Sequence, residues 1–381
     1  MKKILIYIIL LVSLLSCREK EPRPDIRPAA IMFAVPEVTE TKSVLITEVD
    51  HLRCGSDELG FSVFAARYLP SATGAITHHE QFMTDVKVSK SLKETSWTYD
   101  VDPELEGNQL VYWSPGAVHK FFAVYPYYDK QNDEYDYGLA YEIDEEEHAL
   151  KVIGKHTTSI STTMICTGVD SETKQNLCPD ILYGVQMFAE PYEIGDERGE
   201  ITFTLMHALS AVSFRFRNAS EFPISKIECS ALNGFKNVAE TVWLSDDGPV
   251  WSGVDYLPEH EFVVPDMEAD VEEDYVTPGS YYSPDGGTYW YTALMIPQNF
   301  GVYETSPSFT FTVTMIGHQQ ERIKKQYVID FKKYAVSNIA EYGFTYLPGY
   351  RYVYTFNVTS SKVACDVEVV PWIEDEPIKL N

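Results

Sequence analysis

The chain has 381 residues, enough for two ordinary domains, and its 45% hydrophobic content can build real cores. Its formal charge of -27 repels nucleic acid and anionic membrane surfaces, which argues against a nucleic-acid partner. The six cysteines, at 17, 54, 166, 178, 229 and 365, show no C-x-x-C spacing and read poorly as a disulfide framework or a zinc site.

The first predicted element is a leader. Lys2 and Lys3 make a basic start, and Ile4 to Leu15 is an almost wholly apolar run of 12 residues. A membrane-spanning helix needs about 20, so the pattern is that of a secretory signal peptide over residues 1–16. Leu14-Leu15-Ser16-Cys17 resembles the lipobox of bacterial lipoproteins, in which the cysteine becomes the mature N-terminus and carries lipid through its thiol and amine. Each lipid methylene buried in a membrane contributes about 0.8 kcal/mol of anchorage. Loss of Lys2 and Lys3 with the leader takes the charge from -27 to -29. Residues 17–30 are expected to form a polar, proline-broken tether from Cys17 to the folded part. Glu19 and Glu21 resemble the acidic export signals of surface lipoproteins in Bacteroides-type bacteria, so an outer-membrane, cell-surface location is expected.

From residue 31 the apolar period is two almost everywhere. Ile31, Phe33 and Val35 alternate with Met32 and Ala34. Val212, Phe214 and Phe216 alternate with Ser213, Arg215 and Arg217. Phe309, Phe311, Val313 and Met315 alternate with three threonines. Tyr352, Tyr354, Phe356 and Val358 share one face, as do Val363, Cys365, Val367 and Val369. This predicts antiparallel sheets with one wet face. The turns "WSPGA", "SDDGP", "SPDGG" and "YLPGY" separate short strands, and no long amphipathic helix is present. "FKKYAVSNIAEYGF" is expected to hold one or two helical turns. The fold class expected is all-β, as two antiparallel β-sandwiches in tandem with Greek-key connections. A boundary near residue 208 gives an N-terminal sandwich over 31–208 and a C-terminal sandwich over 209–381.

Chemistry-bearing residues are few. His78-His79-Glu80 contains metal-capable groups, but neighbours on a strand point to opposite faces and H-E-x-x-H is absent. Ser171-Glu172-Thr173-Lys174 matches S-x-x-K without the companion motifs of Ser–Lys acyl enzymes. The acidic loops lack EF-hand spacing. His207 reads as a hydrogen-bonded core or interface histidine. Trp97, Trp113, Trp243, Trp251, Trp290 and Trp372 read as packing or as sugar-stacking platforms. Cys166 and Cys178 close a loop or stay as free thiols; spacing does not decide. No catalytic residue, cofactor or metal site is expected.

Several segments in order resemble the fimbrillin superfamily, the FimA/Mfa-like lipoproteins of Bacteroides-type bacteria. They are "IMFAVPEVTETKS", "FSVFAARY", "VYWSPGAVHKFFAVYP", "DILYG", "ITFTLMHALSAVSFRF", "ALMIPQ", "YLPGYRYVYTFNV" and "VEVVPW". The resemblance implies two transthyretin-like sandwiches that assemble into a fimbrium or a fimbria-associated adhesin, without enzymatic activity. It also implies partners: other fimbrial subunits, an extracellular trypsin-like protease, the outer membrane through lipid on Cys17, and receptors or glycans on host or bacterial surfaces. The protease would cut after Lys42, releasing a plug strand that carries Ile31, Phe33 and Val35, and a strand from another subunit would fill the groove. An open sheet edge is adhesive in just this way. The family's site usually carries arginine; Arg53 and Arg67 are the fallback positions. An uncleaved chain would act as an outer-membrane anchor. A surface glycan-binding lipoprotein is the competing reading. A hydrolase would need His78, His119, His207 or His260 beside serine and aspartate in a deep pocket.

Overall fold

The computed structural model describes residues 30–33, 37–38, most of 52–127, most of 139–161, 180–188, 200–256, most of 262–299, 306–333 and 345–371. Its principal strands, in chain order and leaving out several short ones, are β1 Met32–Phe33, β2 Glu37–Val38, β3 Glu58–Pro70, β4 Ile76–Ser91, β5 Val118–Tyr125, β6 Leu139–Asp144, β7 Ala149–Gly154, β8 Leu182–Phe188, β9 Glu200–Ile201 and β10 Thr204–His207. Then come β11 Ser210–Asn218, β12 Ile224–Cys229, β13 Thr241–Ser245, β14 Gly248–Ser252, β15 Met267–Glu268, β16 Tyr291–Met295, β17 Ser308–Ile316, β18 Arg322–Asp330, β19 Tyr350–Val358 and β20 Val363–Pro371. Helix is confined to a turn at residues 331–333 and a 3-10 turn at Glu272–Asp274 among the described residues.

The first half is built on a sheet in the order β2-β10-β8-β5-β3-β4. Sequence alternation predicts one wet face for such a sheet, but here both faces are covered. The reason is visible in "KFFAVY": Phe121 to Tyr125 is a continuous apolar run, and all five residues are buried. Phe121, Ala123 and Tyr125 pack with Phe61, Val63 and Ala65 of β3 in one core. Phe122 and Val124 pack with Phe64, Ala66 and Tyr68 in a second core behind the sheet.

That second core is closed by a four-stranded sheet in the order β14-β13-β7-β6. Half of this cover comes from beyond residue 208, since β13 pairs antiparallel with β7 from Thr241↔Ile153 to Leu244↔Leu150. Val242 and Leu244 enter the second core beside Leu150 and Val152. Lys120 of β5 pins the tip of the β13–β14 hairpin. Its Nζ donates to Asp246 Oδ1 and to the His148 carbonyl, each at 2.9 Å.

The second half is a sandwich proper. One sheet joins β16, β11, β19 and β20, with β11 and β19 parallel; the other runs β15-β12-β17-β18. The side chains that alternation places inward do meet between the sheets: Phe214, Phe216, Phe309, Phe311, Tyr354 and Phe356 are fully buried in one core. The Phe214 and Phe356 rings meet edge-on at 5.1 Å. Most pairings are antiparallel, as expected; β1–β9, β2–β10 and β11–β19 are parallel.

Cys54, Cys229 and Cys365 are free thiols, while Cys17, Cys166 and Cys178 lie outside the described residues. Burial, helped by Asp266, pushes the Cys229 thiol up to about 12, and burial carries Cys365 higher still. Such thiols have little thiolate and little nucleophilic character near neutral pH.

Candidate functional site at the first strand

The N-terminal segment lies against the first core as an inserted strand. Ala30 bridges to Tyr112, and the Ile31 N–H donates to the Val111 carbonyl at 2.8 Å. Met32 and Phe33 then pair parallel with Glu200 and Ile201, and Glu37 and Val38 pair parallel with Thr204 and Leu205. Alternation sets which side chains enter the core. Ile31 is fully buried and Phe33 nearly so, with Met32 between them only half-buried.

Phe33 sits in an aromatic box. Its ring lies 5.2 Å from Tyr99 and 6.4 Å from Phe121, both edge-on, and stacks on Phe203 at 6.0 Å. Tyr99 does two further things. Its hydroxyl donates to the Ile31 carbonyl at 2.6 Å and accepts the Val111 N–H at 3.2 Å, so one phenol clamps the entering strand to its neighbour. Burial holds that phenol above its ordinary pKa, against the pull of the Val111 amide, so it stays protonated and able to donate.

The seat is made by β9 and β10, and their approach to β8 depends on Gly184. A Cβ there would lie 2.9 Å from the Thr204 carbonyl oxygen and 3.3 Å from Phe203 Cβ. Gly184→Ala is therefore expected to destabilise the chain by about 1–3 kcal/mol, the usual cost of overpacking. Denaturant unfolding of the purified variant measures it; an unchanged midpoint would mean that β10 shifts freely.

Ile31 and Phe33 are thus brought together in one core. Val35, Lys42 and Cys17 lie outside the described residues. Lys42 follows the last described residue of the segment, Val38, by four positions. Of the fallback cleavage positions, Arg53 starts the short strand Arg53–Gly55 and Arg67 lies within β3. The Arg67 guanidinium is held by Glu80, through Nε at 2.8 Å and Nη2 at 2.6 Å. An arginine paired within a strand is a poor protease site, because the chain must leave the sheet to be cut.

The other candidates go elsewhere. Glu80 of the His78-His79-Glu80 run serves Arg67, and no cluster of three metal-capable side chains occurs among the described residues. His119 is buried against Trp113 and its Nε2 accepts the Ser114 N–H at 3.2 Å; burial lowers its pKa. Ser171, Lys174, His260 and Trp372 lie outside the described residues. Trp97, Trp113 and Trp290 are buried, and Trp251 is half-buried with its Nε1 donating to the Ala208 carbonyl at 3.1 Å. Burial counts against a sugar platform built on them.

His207 is the buried, hydrogen-bonded histidine that the sequence suggests, but its surroundings are not legible there. Asp180 and His207 meet through Oδ2 and Nδ1, both buried, and Arg351 of the second half acts on the same carboxylate. The junction around them is tied by the Ala208 N–H to Ile181 O at 2.8 Å, Gly349 N–H to Leu209 O at 2.9 Å and Ser210 Oγ to Leu347 O at 2.8 Å.

The pattern described as fimbrillin-like matches residues 58–372. Among solved structures, a fimbrial protein from Bacteroides vulgatus is similar at 11% identity and a TM-score of 0.52, covering 91% of this chain and 99% of that one. A fimbrial assembly protein from Parabacteroides distasonis is similar at 10% identity and a TM-score of 0.29, covering 83% of this chain and 100% of that one. No curated protein matches the sequence.

Proposed function

The chain belongs to the fimbrillin-like family, and from that premise we propose that it is a non-enzymatic subunit or adhesin of a surface fimbrium, assembled with other subunits by strand exchange. The single observation that carries this reading is the seating of residues 30–33 and 37–38. The segment holds an aromatic box through Phe33, yet its parallel pairing extends over four described residues, with one antiparallel bridge at Ala30. Removal of such a strand would leave the box open beside Ile201, Phe203 and Leu205. A donated strand with apolar residues at alternate positions would refill it, gaining backbone hydrogen bonds and the same buried pockets.

In this reading the chain is exported as a lipoprotein on Cys17, reaches the outer membrane, and is cut after Lys42 by a trypsin-like protease. The cut separates the strand covalently while leaving the sandwich intact. We place the division of the chain near residue 208, with the β13–β14 hairpin reaching back into the first half. A surface glycan receptor is the weaker alternative, because three of the tryptophans it needs are buried.

The mature N-terminus on the cell surface tests the reading. Intact mass and terminal peptide sequencing should give a chain that begins at Ser43 and carries no lipid. A chain that begins at acylated Cys17 overturns processing at Lys42 and makes the protein an anchor. Where the chain does begin at Ser43, a Lys42→Ala variant should stay uncut and remain outside the polymer.

A further inference from the structure

The sheet β15-β12-β17-β18 carries opposite charges on its two edges. β18 pairs with β17 along nine residues and is the last strand on its side. Five of the chain's 30 lysines and arginines fall within 322–333, alongside a single acid, Asp330. Arg322, Lys324, Lys325 and Lys333 are exposed. Among the described residues the side chains of Arg322, Lys325 and Lys333 make no ion pair, and Lys324 reaches Glu228 at 3.7 Å.

The far edge is the reverse. Glu268 of β15 is flanked by Asp266 and Asp270, and the 3-10 turn adds Glu272, Glu273 and Asp274, all exposed. Glu268 pairs with Lys226 at 3.0 Å and Asp266 accepts the Cys229 N–H at 2.6 Å. Asp270, Glu272, Glu273 and Asp274 have no cation beside them among the described residues. In a chain with 57 acids and 30 bases, unpaired cations gathered on one edge are not a random sample of the surface.

We propose that these edges dock on each other between copies of this chain, the basic β18 edge of one copy against the acidic β15 edge of the next. The lysines on β18 also discourage indiscriminate strand pairing, which is their common use on an edge. Charge complementarity then selects the partner: only a surface rich in unpaired carboxylates repays their approach. β15 pairs over two residues, so the contact is made by side chains rather than by a continued ladder. The two surfaces differ, so the contact is head-to-tail; each added copy keeps one free edge of each sign, and rows rather than closed pairs result. This contact goes beyond strand exchange and does not require the first strand to be removed.

The test uses the uncleaved chain from residue 17, with Cys17→Ser to exclude lipid, so that strand exchange plays no part. Sedimentation velocity at about 50 mM salt should show concentration-dependent association that fades at about 500 mM, where screening shortens to a few ångströms. Reversing the basic edge (R322E/K325E) or the acidic edge (E272K/E273K/D274K) should each weaken self-association by about tenfold or more, because several opposed charges become like charges. Mixing the two reversed proteins restores opposition of charge: the basic wild-type edge of the second variant faces the acidic wild-type edge of the first, and the two reversed edges are also opposite in sign. Hetero-association well above the self-association of either variant alone is expected. All these positions are exposed, and an unchanged thermal melt confirms folding of each variant. A monomeric wild type at low salt, reversed variants that associate as the wild type does, or a mixture that stays monomeric would each overturn the proposal.

Discussion

Phe33→Ala is expected to cost about 3–5 kcal/mol of folding stability, the range for truncating a buried phenylalanine. The ring is 4% exposed and touches Tyr99, Phe121 and Phe203, so its loss opens a cavity lined by rings that are themselves fixed in strands. Backbone pairing does little to compensate. β1 pairs with β9 over two residues, so side-chain burial carries most of the segment's hold. Met32, which faces away and is half-exposed, is the control; Met32→Ala should cost under about 1 kcal/mol. Denaturant unfolding of both variants, with proteolysis of the N-terminal segment as the local readout, measures the difference. Equal losses at positions 32 and 33 would mean that the strand is not seated by its inward side chains, and the exchange reading would lose its basis.

Asp180→Ala is the second large effect, about 3 kcal/mol, the upper range for leaving a buried hydrogen-bonding group without its partner. Asp180 is fully buried, His207 is 3% exposed and Arg351 is 1% exposed. Burial pushes the Asp180 carboxyl above its ordinary range, and His207 and Arg351 work against that push. Without Asp180, the buried His207 imidazole loses its hydrogen-bond partner and the buried Arg351 loses the favourable effect of a nearby carboxyl group. His207→Ala should cost less, because the charge of Arg351 still acts on Asp180. Equilibrium unfolding of the two variants ranks them. A loss under about 1 kcal/mol for Asp180→Ala would mean that water enters the junction and solvates Arg351.

Much of the second half is legible in the sequence. The inward positions on β11, β17 and β19 follow period two, and each is buried where alternation puts it. Ile31 and Phe33 are legible for the same reason. The first half is less so. A strand covered on both faces loses its alternation, as "KFFAVY" does, and a hairpin such as β13–β14 carries no mark of which sheet it will join. The junction triad was hidden differently. Asp180 and His207 stand 27 residues apart, and their meeting depends on the β8–β10 pairing that brings Leu182 opposite His207. Arg351 occupies an outward position on β19, between the core residues that alternate along it. Such a position is normally wet; here Arg351 is buried, and its charge acts on a carboxyl group from the other half of the chain.

The reach of β13 and β14 back across the chain fixes an order of events. A polypeptide made N-terminus first has presented β5, β6 and β7 long before Val242 and Leu244 appear. The second core stays only half covered until residue 252 has been added, so the leading half sets only after a part of the trailing half has joined it.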